Sequence, residues 1–94
     1  MSIITGKFDN EDAEVNIFPN PTDSQFIVNF PSKQGFCEIS VFNIQGKLMK
    51  METLKTSEGQ NNYILYLNTL EQGSYYLIIK NELGIFKKYF RIVR

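Results

Sequence analysis

The amino-acid sequence predicts an all-β protein in which about seven short strands form two packed antiparallel sheets. Three observations carry this. Apolar residues recur with a two-residue period in one segment after another, turn-forming residues interrupt the chain at roughly ten-residue intervals, and no stretch has the period of an amphipathic helix.

Ser2 to Asp12 is polar and acidic without a sustained period, so residues 1–12 are assigned as a flexible acidic linker and residues 13–94 as the folded domain. Ala13 to Phe18 alternates, with Val15 and Ile17 inward. It runs into Pro19-Asn20-Pro21, where two residues with fixed φ and no backbone donor make a stiff corner unsuited to a helix or a central strand. Gln25 to Phe30 puts Phe26, Val28 and Phe30 on one face, and Pro31 to Gly35 turns the chain. Phe36 to Asn43 is the next strand, Gln45-Gly46 is a tight turn in which Gly46 takes positive φ, and Lys47 to Leu54 returns as the hairpin partner.

Lys55 to Asn61 reads as a polar loop, followed by a strand over Asn62 to Leu67 with Tyr63, Leu65 and Leu67 in phase. Leu70 to Gly73 makes a corner. Ser74 to Lys80 is apolar on both faces, as a strand flanked on both sides would be, Asn81 to Gly84 closes a hairpin, and Ile85 to Arg94 is the last strand. Gly73-Ser74-Tyr75 fits a tyrosine corner, in which the phenol bonds back to nearby backbone. The whole pattern is that of an immunoglobulin-like antiparallel β-sandwich.

Composition narrows the function. A chain of 94 residues is one domain that buries roughly 60–65% of the surface its unfolded form exposes. With 43% hydrophobic and 14% aromatic residues, it is too apolar for a disordered chain. No apolar run approaches the ~18 residues of a membrane span, and Met1 to Gly6 lacks the charged start and apolar stretch of a signal peptide, which is expected upstream if the protein is exported.

Histidine is absent and Cys37 is the only cysteine, which excludes an internal disulfide, Cys- or His-based metal clusters and His-dependent triads. Cys37 alternates in phase with Ile39 and Val41 and reads as a buried, inert thiol. The acidic residues Asp9, Glu11, Asp12 and Glu14 fall in or beside the linker, the others are scattered, and Asp23 lacks the spacing of a calcium loop, so it is expected to tie the proline turn. No enzyme activity, cofactor or metal is expected. The formal net charge is zero but uneven: Lys7 stands against Asp9, Glu11, Asp12, Glu14 and Asp23, whereas Lys80, Lys87, Lys88, Arg91 and Arg94 stand against Glu82. The basic end fits either a contact with an anionic surface or the solvated face of a last strand.

Four segments, VNIFPNPTDSQFIVNF (Val15 to Phe30), ISVFNIQGKLM (Ile39 to Met49), LNTLEQGSYYLIIK (Leu67 to Lys80) and GIFKKYFRIVR (Gly84 to Arg94), resemble in order and spacing the type A C-terminal sorting domain of the type IX secretion system of Bacteroidetes. The family's proline motif falls on Pro19, Asn20 and Pro21, its turn glycine on Gly46 with Lys47, its Gly-x-Tyr on Gly73 and Tyr75, and its basic closing strand on Lys87, Lys88, Arg91 and Arg94. Ser24 stands where family members commonly have glycine.

The resemblance implies a secretion signal that takes an N-terminally attached cargo through the periplasm and the outer-membrane translocon to the cell surface or beyond. It also implies removal by a sortase-like peptidase at a bond within the linker. Translocon components and the peptidase are then the partners, with no nucleic acid and no direct membrane insertion. An edge strand near the C-terminus is expected to dock by sheet addition, with Lys87, Lys88, Arg91 and Arg94 fixing register on an acidic partner. The alternative reading is an immunoglobulin-like or fibronectin-like surface module that binds carbohydrate or protein, for which Tyr63, Tyr66, Tyr76 and Tyr89 are the candidate platforms.

Overall fold

A computed structural model describes residues 14–94; the assigned linker, residues 1–12, and the boundary at Ala13 lie outside the described residues. Within them seven strands form two antiparallel sheets. One sheet has the order β1 (Asn16–Phe18), β2 (Gln25–Ser32), β5 (Gly59–Tyr66). The other has the order β4 (Leu48–Thr56), β3 (Gly35–Asn43), β6 (Gly73–Asn81), β7 (Gly84–Ile92). The predicted sandwich is the observed one.

Alternation explains the core. Phe26, Val28, Phe30 and Leu65 face inward from the three-stranded sheet and meet Ile39, Val41, Leu77, Ile79 and Phe90 from the other, all of them fully buried. Phe90 sits edge-on to Phe26 with ring centroids 4.8 Å apart and stacks on Tyr75 at 5.6 Å. Each such side chain contributes roughly 2 kcal/mol on leaving water, so the aromatic contact at the β6–β7 end is a main fastening of the sheets. Cys37 is buried beside Ile39, as its phase predicts. Burial pushes its thiol up to about 11, a side-chain hydrogen bond involving Asn81 acting in the opposite direction.

Several boundaries differ from the sequence reading. β1 covers only Asn16–Phe18, although Val15 is fully buried. β2 runs on through Pro31 to Ser32, pairing Pro31 with Gln60. Because β1 reaches only Ile27 to Asn29, no strand flanks Pro31 on that side and its missing N–H costs no ladder bond. The expected loop from Lys55 to Asn61 shrinks to Ser57 and Glu58, between β4 and β5. There the Asn61 amide accepts from Ser57 N–H at 2.9 Å and donates to the Ser57 and Gly59 carbonyls, each at 3.0 Å, replacing the ladder at the turn.

β2 and β3 are consecutive yet lie in different sheets, as are β4 and β5. The two crossings are pinned together where Ser32 Oγ donates to Thr56 Oγ1 at 3.0 Å and Thr56 Oγ1 donates to the Lys33 carbonyl at 2.7 Å. Both hydroxyls are buried and both are satisfied. Between Val41 and Phe42 the register with β4 slips, leaving Met49 unpaired and packed against the core.

Candidate functional site

The residues singled out by sequence fall into two groups, one that shapes the fold and one that lies on β7. Gly46 has φ +88°, a conformation for which glycine is needed, and the Asn43 carboxamide holds the turn by accepting from the Gln45 and Lys47 N–H groups at 2.9 Å each. Gly73 has φ +149° at the start of β6. Tyr75 Oη donates to the Glu71 carbonyl at 2.6 Å, the back-bond of a tyrosine corner. These residues act through the turns they make possible. Asp23 does not tie the backbone of the proline turn; its carboxylate accepts from the neighbouring Ser24 Oγ at 3.2 Å, while the Ser24 carbonyl accepts from Leu67 N–H at 2.7 Å.

The proline corner has a further role. Both its X-Pro bonds, Phe18–Pro19 and Asn20–Pro21, are cis, and the segment leaves the three-stranded sheet to lie along the outer edge of β7. Thr22 N–H donates to the Arg91 carbonyl at 3.0 Å and Val93 N–H donates to the Thr22 carbonyl at 2.8 Å, a short parallel bridge. Prolines bring no donors of their own, and the Asn20 side chain replaces them. Its amide donates to the Tyr89 carbonyl at 3.3 Å and accepts from Arg91 N–H at 3.3 Å. An asparagine between two prolines thus acts as a strand made of one side chain.

This corrects the expectation of an available edge near the C-terminus. From the Tyr89 carbonyl to Val93, β7 is already paired to the chain's own corner, and another strand cannot add there without displacing it.

The four basic residues do not form one cluster. Lys87 and Arg91 are exposed and share the outward face of the four-stranded sheet. Lys88 stands opposite the buried Leu77 in register, on the inward-facing phase, and is half-buried. Arg94 lies past the strand, its guanidinium donating to the Leu67 carbonyl at 2.9 Å and to the Leu70 carbonyl. It ties the last residues to the loop before β6.

Lys87 is the best-placed cation. Its ammonium lies 4.5 Å from the centre of the Tyr76 ring, which meets Tyr89 edge-on at 5.7 Å, and Tyr89 Oη donates to Ser74 Oγ at 2.8 Å. Phe42, Ile44 and Ile78 extend this patch into a shallow depression ending at the Gly46 turn. The outward face of the four-stranded sheet therefore offers aromatic surface bordered by positive charge. Of the four tyrosines considered as carbohydrate platforms, Tyr76 and Tyr89 are held in this arrangement. Tyr63 reaches across the sandwich to Glu52, and Tyr66 stands outward with about half its surface exposed.

Comparison with known families matches residues 16–92 to the secretion system C-terminal sorting domain. No curated protein matches the chain. The match spans every strand from β1 to β7 and takes in the corner, the Gly46 turn, the tyrosine corner and the basic face. The chain belongs to the type IX secretion C-terminal sorting domain family, a signal that marks an attached cargo for the secretion machinery and so for the cell exterior or surface.

Proposed function

We propose that this domain carries its N-terminally attached cargo from the periplasm through the type IX outer-membrane translocon, that a translocon component reads the outward face of β7, and that a sortase-like peptidase then cleaves in residues 1–12. In this reading the domain is not an enzyme. The observation that carries it is the exposure of Lys87 and Arg91 on one face of a strand whose edge, from Tyr89 onward, is occupied by Asn20 and Thr22. With this part of the edge taken, recognition passes to the face. There Tyr76, Tyr89 and Ile78 supply apolar contact, and the two cations orient an acidic partner and speed its encounter more than they tighten the complex.

A fusion of residues 13–94 to a fluorescent reporter in a type IX-competent bacterium tests this reading. Lys87→Glu with Arg91→Glu is expected to abolish appearance of the reporter outside the cell, while the purified variant domain keeps its melting temperature. Export at the unmodified level would show that the basic face is not read.

A further inference from the structure

Among the described residues the sandwich has four edge strands, and three of them are defended over at least part of their length. β7 is paired to the proline corner, β1 has only three residues, and β4 carries Lys50, Glu52 and Lys55. β5 has none of these protections. It is eight residues long, and from Gly59 to Leu70 the sequence contains no charged residue. Leu67 N–H donates to the Ser24 carbonyl. By the alternation of an antiparallel ladder, the odd-numbered residues of β5 therefore bond to β2, and Gln60, Asn62, Ile64 and Tyr66 turn their N–H and C=O groups to the open side.

The outward face of the same sheet is also uncharged. Phe18, Ile27 and Ile64 stand in register across its three strands, with Phe18 and Ile64 nearly half exposed. Next to them Asn29 donates through Nδ2 to Asn62 Oδ1 at 2.9 Å and accepts at Oδ1 from Gln60 Nε2 at 2.6 Å, so these three side chains are already paired with one another.

We propose that β5 is a self-pairing edge, at which two copies of this chain join β5 to β5, antiparallel about a two-fold axis, fusing their three-stranded sheets into one sheet of six. The occupant follows from the charge pattern. About a two-fold axis the strand pairs with its own reverse, a side chain on the axis meets its equivalent, and a strip without charge places no like charges together in any register. Recognition of a different protein draws on complementary charge to fix register, and β5 has none to offer. Pairing also brings the two Ile64 and Tyr66 surfaces together across the join.

This inference goes beyond the export reading and is tested on the purified 94-residue chain, without translocation. Sedimentation velocity from low micromolar to millimolar concentration is expected to show a monomer–dimer equilibrium. Amide exchange by NMR is expected to slow with concentration at Asn62, Ile64 and Tyr66 and to stay constant on β3. Ile64→Lys, which places two ammonium groups across the axis, is expected to abolish the dimer without altering the circular dichroism spectrum. A monomer at every concentration, or a dimer that survives Ile64→Lys with no concentration-dependent protection on β5, would overturn the proposal.

Discussion

Tyr63 Oη donates to the Glu52 carboxylate and so ties β5 in one sheet to β4 in the other. Lys50 Nζ stands 3.1 Å from the same carboxylate, making a three-membered polar bridge over the side of the sandwich opposite the proline corner.

The bridge sets a pH dependence with two flanks. Burial works to raise Glu52, but hydrogen bonds from Tyr63 and Lys50 outweigh it and hold the carboxyl below its ordinary value. The hydrogen bond to Glu52, with burial second, pushes Tyr63 from 10.0 up to about 12. The Glu52 contribution is present above the ordinary carboxylate range and disappears as pH falls through the lowered value. That of Tyr63 is present below 10.0 and is lost as pH rises toward about 12. Tyr63→Phe is expected to cost about 1 kcal/mol near neutral pH, given the partial exposure of the bridge, and to flatten both flanks in urea titrations.

Asn20→Ala removes both side-chain bonds to β7 while leaving the Thr22 bridge. The expected loss is about 1 kcal/mol, read as a lower melting temperature, with faster hydrogen exchange at the Arg91 amide and little change on β3.

Tyr75→Phe keeps the ring against Phe90 and loses only the bond to the Glu71 carbonyl. It is expected to cost about 1–2 kcal/mol, against about 3–5 kcal/mol for Tyr75→Ala, which also empties the aromatic contact. An unchanged stability for Tyr75→Phe in denaturant titrations would show that the hydroxyl contributes nothing, and equal losses for the two variants would show the same of the ring.

The thiol of Cys37, buried and pushed up to about 11, is expected to resist a disulfide reagent at neutral pH in the native domain and to react fully in guanidinium. Native-state labelling at the rate of a free thiol would show that the β3 region opens easily.

The succession of strands and most of the core were legible because the two-residue period is strong wherever one face is buried. Phe26, Val28 and Phe30, or Cys37, Ile39 and Val41, declare their sides without help, whereas the segment from Ser74 to Lys80, apolar on both faces, does not. The period failed at Gly59 to Asn61, where both faces of β5 are polar and a strand looks like a loop. It failed also at Pro31, whose place in β2 depends on β1 stopping short. The corner was legible as a stop, but its pairing with β7 was not, because that contact joins residues far apart in sequence through a side chain. Adjacency in a strand does place Lys87 and Lys88 on opposite sides of their sheet, whereas nothing local tells that Arg94 is spent on carbonyls of the loop before β6.

The tie between Asn20 and β7 spans 69 residues to Tyr89 and 71 to Arg91. Such a closure is entropically expensive and forms only when both distant partners are in hand. Any copy lacking β7 leaves the corner with nothing to grip and β6 with a bare flank. The clasp thereby makes closure of the corner conditional on the last strand: a chain that stops short of β7 has no Tyr89 carbonyl or Arg91 amide for Asn20 to hold.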